Sequence, residues 1–228
     1  MPEPLAPSVG LSVLHLFCTV GDGTDRSGIE AAVKGAEADG VQVVPVAVLG
    51  HKADVAIMAL APDWWQLKAL QTALQVAGLT VVDSYVSLTE LSEYAQGLPE
   101  HMAEARLRPQ LPPEGKSAWC FYPMSKQRGD VHNWFTLPFD ERKDLMHEHG
   151  ASGRKFAGRI VQLITGSTGI DDYEWGVTLF AEKPDDLKEV VYTMRFDQAS
   201  ANYAEFGPFV VGAVGTVAEV LDAAGVAG

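Results

Sequence analysis

Two histidines stand two residues apart in MHEHG, residues 146–150. A helix is predicted over residues 138–149. Pro138 suits the first turn, where its missing N–H costs nothing. Asp140 and Glu141 meet the positive end of the helix dipole there, and Gly150 is a natural stop. At about 100° per residue, Phe139, Leu145, Met146 and His149 share one side with the stem of Arg142. His147 falls on the other side with Asp140, Lys143 and Asp144. Positions i and i+2 do not face each other, so the pair cannot chelate one ion. The inward His149 has two open readings. It is a core histidine satisfied by a carbonyl, or a lone axial ligand to a haem iron whose other four ligands come from the porphyrin.

Three further stretches carry candidate chemistry. YPMSKQR (122–128) offers a phenol, a thioether and two cations within seven residues. In SAWCFYPM, alternation places Ala118, Cys120 and Tyr122 on one strand face and Trp119 and Phe121 on the other. In GRIVQLITGSTG, Gln162 shares a face with Ile160 and Ile164. An amide on an apolar face needs partners; a neighbouring backbone group, a ligand or an oxidant would each serve. GSTG joins two predicted strands and lacks the Lys-Ser/Thr ending of a phosphate loop, so it reads as a hairpin turn. After the last helix, Arg195 and Ser200 are candidate partners for a carboxylate, Arg195 as a two-pronged donor. The alternative for Arg195 is a surface pair with Asp197. No G-x-S-x-G, H-E-x-x-H, paired-cysteine or EF-hand pattern occurs.

The elements that must position these residues form a repeated pattern. SVLHLFCTV reads as a strand, DRSGIEAAVKGAEADG as a helix, and VQVVPVAVLG and ADVAIMALA as strands. PDWWQLKALQTALQVAG is a helix and LTVVDSYVSLTEL a strand, giving β-α-β-β-α-β. LRPQLPPEGKS (107–117) has linker composition. The order then returns: strand, the 138–149 helix, two strands, the helix PDDLKEVVYTMR and the strand FGPFVVGAV. The expected organisation is an N-terminal ferredoxin-like half (1–106), the linker (107–117) and a C-terminal half (118–228). Each half puts helices on one face of a four-stranded antiparallel sheet, an α+β class. The two sheets are expected to pack as a pseudo-dimeric α/β barrel.

Bulk properties narrow the function. The chain has 228 residues and a formal charge of −13. Its halves differ: 4 Lys and Arg against 12 acids in residues 1–100, and 13 against 18 in 101–228. This balance disfavours a nucleic-acid partner but concentrates cations where an anionic ligand could be held. Cys18 and Cys120 lie in apolar runs and read as buried free thiols. No apolar run reaches the length of a membrane span, and the Pro-rich acidic N-terminus lacks a basic leader. The expected location is cytoplasmic.

YPMSK, NW, LPFDERKDLMHEHG, GRKFAGRIVQLITGSTGIDDYEWGVTLFA and VYTMRFDQASANYAEFGPF, in this order, resemble the coproheme decarboxylases of the chlorite dismutase-like superfamily. The likeness is close over roughly residues 107–212. Before that it rests mainly on GHKADVAIM and DSYVSLTELSEY. The resemblance implies two ferredoxin-like halves per subunit and a homopentamer. It implies Fe-coproporphyrin III (coproheme) as substrate and redox centre, hydrogen peroxide as oxidant, and two propionates converted to the vinyls of haem b. By the same resemblance His149 is the axial ligand, Tyr122 the radical-forming tyrosine and Lys126 the motif lysine. Met124 lies against the porphyrin edge and Gln162 over the open face of the iron, while Arg108, Arg195 and Ser200 grip propionates. A transient contact with the preceding iron-inserting enzyme is a further expectation. Phe135 stands where many members carry a second tyrosine.

Other readings remain beside this one. A non-catalytic haem carrier would share His149 without needing Tyr122 and Lys126 together. A chlorite-degrading or peroxidase-like enzyme would carry an arginine over the iron, where this chain has neutral Gln162.

Overall fold

The computed structural model describes residues 3–95 and 97–227. The first half runs β1 (Ser12–Thr19), α1 (Arg26–Ala38), β2 (Gln42–Leu49), β3 (Val55–Ala61), α2 (Trp64–Val76) and β4 (Thr80–Thr89). A short helix α3 (Glu100–Leu107) follows. The second half runs β5 (Ala118–Lys126), α4 (Phe139–Arg154), β6 (Ile160–Gly166), β7 (Trp175–Ala181), α5 (Pro184–Met194), α6 (Gln198–Ala201), β8 (Ala204–Phe206), β9 (Val210–Val214) and α7 (Val217–Ala223). The ferredoxin-like order expected from the sequence is present in both halves.

Local chemistry explains the elements. In α2, Asp63 accepts a hydrogen bond from the Trp65 amide at the N-cap, and Leu67, Leu70 and Leu74 form the buried stripe. In α5, Pro184 begins the helix, Asp185 and Asp186 occupy the first turn, and Leu187, Val190 and Met194 face the core. Helix α4 differs: it has no fully buried residue. It also runs on through Gly150 to Arg154, past the expected stop. A mid-helix glycine costs only about 1 kcal/mol. Here buried Phe156, just beyond the helix, anchors that end in the core of the second half.

The expectation of a pseudo-dimeric barrel built from two four-stranded sheets is corrected. The strands form one nine-stranded sheet in the order β7-β6-β4-β1-β3-β2-β9-β5-β8, with β5 also pairing β7. The halves are joined by hydrogen bonds as well as by packing. Strand β9 pairs β2 (Val46↔Val214 to Leu49↔Val211) and β5 (Ala118↔Ala213 to Phe121↔Val210). Gly212 sits at that junction because a Cβ there would come 2.3 Å from the Ala47 carbonyl oxygen. On the other flank, β4 meets β6 through two register pairs only, Leu88↔Gly166 and Thr89↔Thr165. An exposed first half of β4 and the short extra strand β8 complete the departure from two equal sheets.

Strand alternation then sorts the side chains. Phe17, Met58, Leu60, Tyr85, Trp119, Phe121 and Phe180 share one core between the halves. The opposite faces of β5 and β7, with Cys120, Tyr122, Val177 and Leu179, pack against Leu187, Val190 and Met194 of α5. Both cysteines are buried and free.

Candidate functional site

His149 is half-buried on α4, and His147 is exposed on its other side, as the helical angles require. The His149 Nδ1 lies 3.0 Å from Asp197 Oδ2 and 3.3 Å from Ser200 Oγ. Among the described residues its other ring nitrogen has no hydrogen-bond partner. The Asp197 side chain is 1% exposed against 21% for His149. Burial pushes the Asp197 carboxyl up. The hydrogen bond and charge of His149, with the amide and hydroxyl of Ser200, outweigh that and hold it below the ordinary carboxylate range. Asp197 also accepts from the Ser200 amide at 2.9 Å, which caps α6. The surface pair weighed for Arg195 and Asp197 is therefore not formed: this carboxylate belongs to His149.

Lys126 closes the same neighbourhood. It is buried, donates to the Ala199 carbonyl at 2.9 Å and lies 4.3 Å from the centre of the Trp134 ring. Burial lowers its ammonium to about 8, against the opposing pull of Asp197 and Glu174. Trp134, Ala199 and Tyr203 form a small cluster that Leu145 and Met146 of α4 cover. The helix carrying His149 thus packs on α5, α6 and this cluster.

The sheet supplies a second set of groups. Tyr122 pairs with Val177, and Val177 with Ile164, across β5, β7 and β6; Cys120, Leu179 and Gln162 form the adjacent row. Tyr122, Met124, Gln162 and Ile164 therefore share one sheet face. Strand spacing and rise put Tyr122 and Gln162 roughly 12 Å apart. Gln162 is exposed, and Ile164 is 44% exposed. The amide is thus solvent-facing on an uncovered apolar strand face, where the buried partner expected for it is not needed. Tyr122 is buried, and burial raises its phenol well above the usual tyrosine range. Its ring stacks on Phe209 at 4.4 Å and lies 5.7 Å from Phe206. Arg195 lies 5.0 Å over Phe206, which brings a guanidinium to the Tyr122 end of this face. Arg108 stands at the end of α3, exposed, with Glu104 as its ion-pair partner at 2.7 Å.

Sequence reasoning missed Asp197 as the partner of His149. The two lie 48 positions apart, and no helical or strand period links them. It also missed Trp134, which the NW pair marked only as a matching dipeptide. Tyr85 lies in the core between the halves, with its hydroxyl on Ser167.

These groups fit an iron porphyrin. Among the described residues no cluster of three or more His, Cys, Asp or Glu could hold a metal ion. A metal at His149 would need its other ligands from a macrocycle. An imidazole held at one nitrogen by a buried carboxylate, with the other nitrogen uncommitted, is the arrangement that steadies a metal-ligating histidine. The uncovered Ile164 and Gln162 face suits a flat, largely apolar ring. No helix among the described residues is long and apolar enough to cross a membrane.

Comparison with known proteins agrees. A family model for chlorite dismutase matches residues 26–215. A coproheme decarboxylase of Staphylococcus carnosus is 46% identical over 177 residues, covering 73% of this chain and 70% of that protein. A putative heme-binding protein of Natronomonas pharaonis is 42% identical over 207 residues. This chain spans about a third (34%) of that relative's length. Among solved structures, a heme-binding protein from Thermus thermophilus superposes with a TM-score of 0.85 at 35% identity, covering 99% of both chains. A chlorite dismutase from Candidatus Nitrospira defluvii superposes with a TM-score of 0.76 at 19% identity, a likeness of fold alone, covering 96% of this chain and 97% of that one.

Proposed function

This chain belongs to the chlorite dismutase family, and from that premise we propose that it is a hydrogen-peroxide-dependent coproheme decarboxylase. The observation that carries the reading is His149: one ring nitrogen held by buried Asp197, the other without a hydrogen-bond partner among the described residues. The substrate is Fe-coproporphyrin III and the product haem b. The iron porphyrin, when bound, supplies the oxidising equivalents of peroxide to the protein.

His149 holds the iron. Asp197 fixes the orientation of its imidazole and raises its donor strength, and Ser200 steadies the pair. Tyr122 gives up a hydrogen atom to become a phenoxyl radical and then takes one from the β-carbon of a propionate. Loss of a further electron and of CO2 leaves the vinyl. Each propionate thus undergoes a two-electron oxidation, matched by reduction of one peroxide to water. Lys126, with its ammonium lowered to about 8, is poised to hold or release a proton near neutral pH beside Asp197. Arg195 offers a guanidinium to a propionate next to Tyr122, and Arg108 is the corresponding cation on α3. Met124, on the same sheet face as Tyr122, would meet the porphyrin edge. Neutral Gln162 on that face would offer no cation to an anionic oxidant such as chlorite.

The working assembly is a homopentamer in the cytoplasm, in transient contact with the enzyme that inserts the iron. Mass spectrometry of the porphyrin, after loading with coproheme and titrating hydrogen peroxide, tests the reading. Stepwise loss of two propionate carboxyls is expected. Tight binding with an unchanged porphyrin mass would instead make the chain a haem carrier.

A further inference from the structure

The segment Phe206–Gly207–Pro208–Phe209 lies against Tyr122. Met124 of β5 pairs with Phe206 of β8, and the Gly207 amide donates to the Pro123 carbonyl at 2.8 Å. Glycine at 207 allows this approach without displacing a neighbouring side chain. A Cβ there would stand 2.7 Å from both Pro123 Cγ and Tyr173 Cζ. The chain then brings Phe209 back over the phenol. The two rings stack at 4.4 Å with 24° between their planes, while Phe206 meets the phenol at 5.7 Å and 58°. Phe206 and Phe209 are themselves in contact range at 6.1 Å. Tyr122 is 6% exposed, whereas Phe209 is half-buried. The outer ring therefore covers one face of the Tyr122 ring.

We infer that Phe209, carried on the glycine-closed Phe206–Phe209 segment, is a positioning residue that sets the plane of the Tyr122 ring and covers one face of it. The inference rests on the proposed role of Tyr122. A stacked, edge-braced ring has one orientation, and hydrogen transfer from a substrate carbon depends steeply on orientation. Exclusion of water from that face also agrees with the raised phenol, because desolvation disfavours the phenolate. Phe209 touches the tyrosine and acts through it.

The test compares Phe209→Ala with the unmodified protein, using the difference in phenolate absorbance against a Tyr122→Phe background. In the porphyrin-free protein, ionisation of Tyr122 should fall by about one pH unit or more as water reaches the uncovered face of the phenol. In the coproheme-loaded protein, kcat for decarboxylation should fall about tenfold with KM little changed. The radical's electron-spin spectrum should broaden as the ring samples several planes. An unchanged ionisation overturns the inference, as does a lowered ionisation with full turnover and an unbroadened spectrum. If circular dichroism shows that Phe209→Ala does not fold, Phe209→Leu keeps most of the volume without the ring and is judged by the same outcomes. Full activity of Tyr122→Phe would remove the radical role, while the porphyrin-free titration would still decide whether Phe209 shields the phenol.

Discussion

Replacing Asp197 by Asn separates the two jobs of that side chain. Asp197 caps α6 through the Ser200 amide at 2.9 Å and holds His149 Nδ1 at 3.0 Å. Asn is as good an N-cap as Asp, so the variant should keep α6 and lose little stability. It does lose the negative charge against the imidazole. A charge-assisted hydrogen bond contributes about 1.5–3 kcal/mol, and removing such an outer partner typically weakens metal binding by about 10- to 100-fold. Coproheme affinity, read by titration of the porphyrin absorption band, should therefore fall by at least about tenfold. The iron–histidine stretching frequency should drop in step, because the imidazole donates less strongly. Asp197→Ala removes the cap as well, and should cost a further ~1 kcal/mol of unfolding free energy in urea. Equal affinity and an unchanged stretching frequency in Asp197→Asn would refute the claim that this carboxylate tunes His149.

Other outcomes follow from the same geometry. Tyr122→Phe should bind coproheme yet leave all four propionates intact by mass spectrometry; a normal yield of haem b would remove the phenol from the mechanism. Lys126 falls from the ordinary 10.5 to about 8 on folding, so between those pH values the unfolded chain holds a proton that the folded chain has shed. Stability should thus rise by roughly 3 kcal/mol between pH 8 and 10.5 from this residue, and urea midpoints of Lys126→Met should lack that rise. His15 is fully buried, with one ring nitrogen 3.0 Å from Thr178 Oγ1, and burial lowers it to about 3. The folded chain refuses a proton that the unfolded chain accepts below about pH 6.5, so stability should fall as pH drops toward 3, by on the order of 5 kcal/mol. His15→Leu should flatten that acid limb, and an identical slope would show that His15 charges in place.

Whatever depends on neighbours along the chain was legible in the residues alone. Periods of two and of about 3.6, with Asp63 capping α2 and Pro184 opening α5, set the strands and helices and their repeated order. The helical angle around MHEHG separated inward His149 from exposed His147. Alternation along SAWCFYPM put Tyr122 on the face opposite Trp119. The matching stretches of residues 107–212 pointed to the family. Three things lay beyond local pattern. The run of α4 past Gly150 and Gly153 depended on Phe156 finding a place in the core. The single continuous sheet depended on β9 reaching both β2 and β5, a pairing of residues distant in sequence, with Gly212 admitting the Ala47 carbonyl. Asp197 became the partner of His149 only because α6 packs against α4, and Lys126 came to the same place only because β5 ends against Ala199. Hydrogen bonds across such separations leave no period in the sequence, so only the folded chain could bring them together.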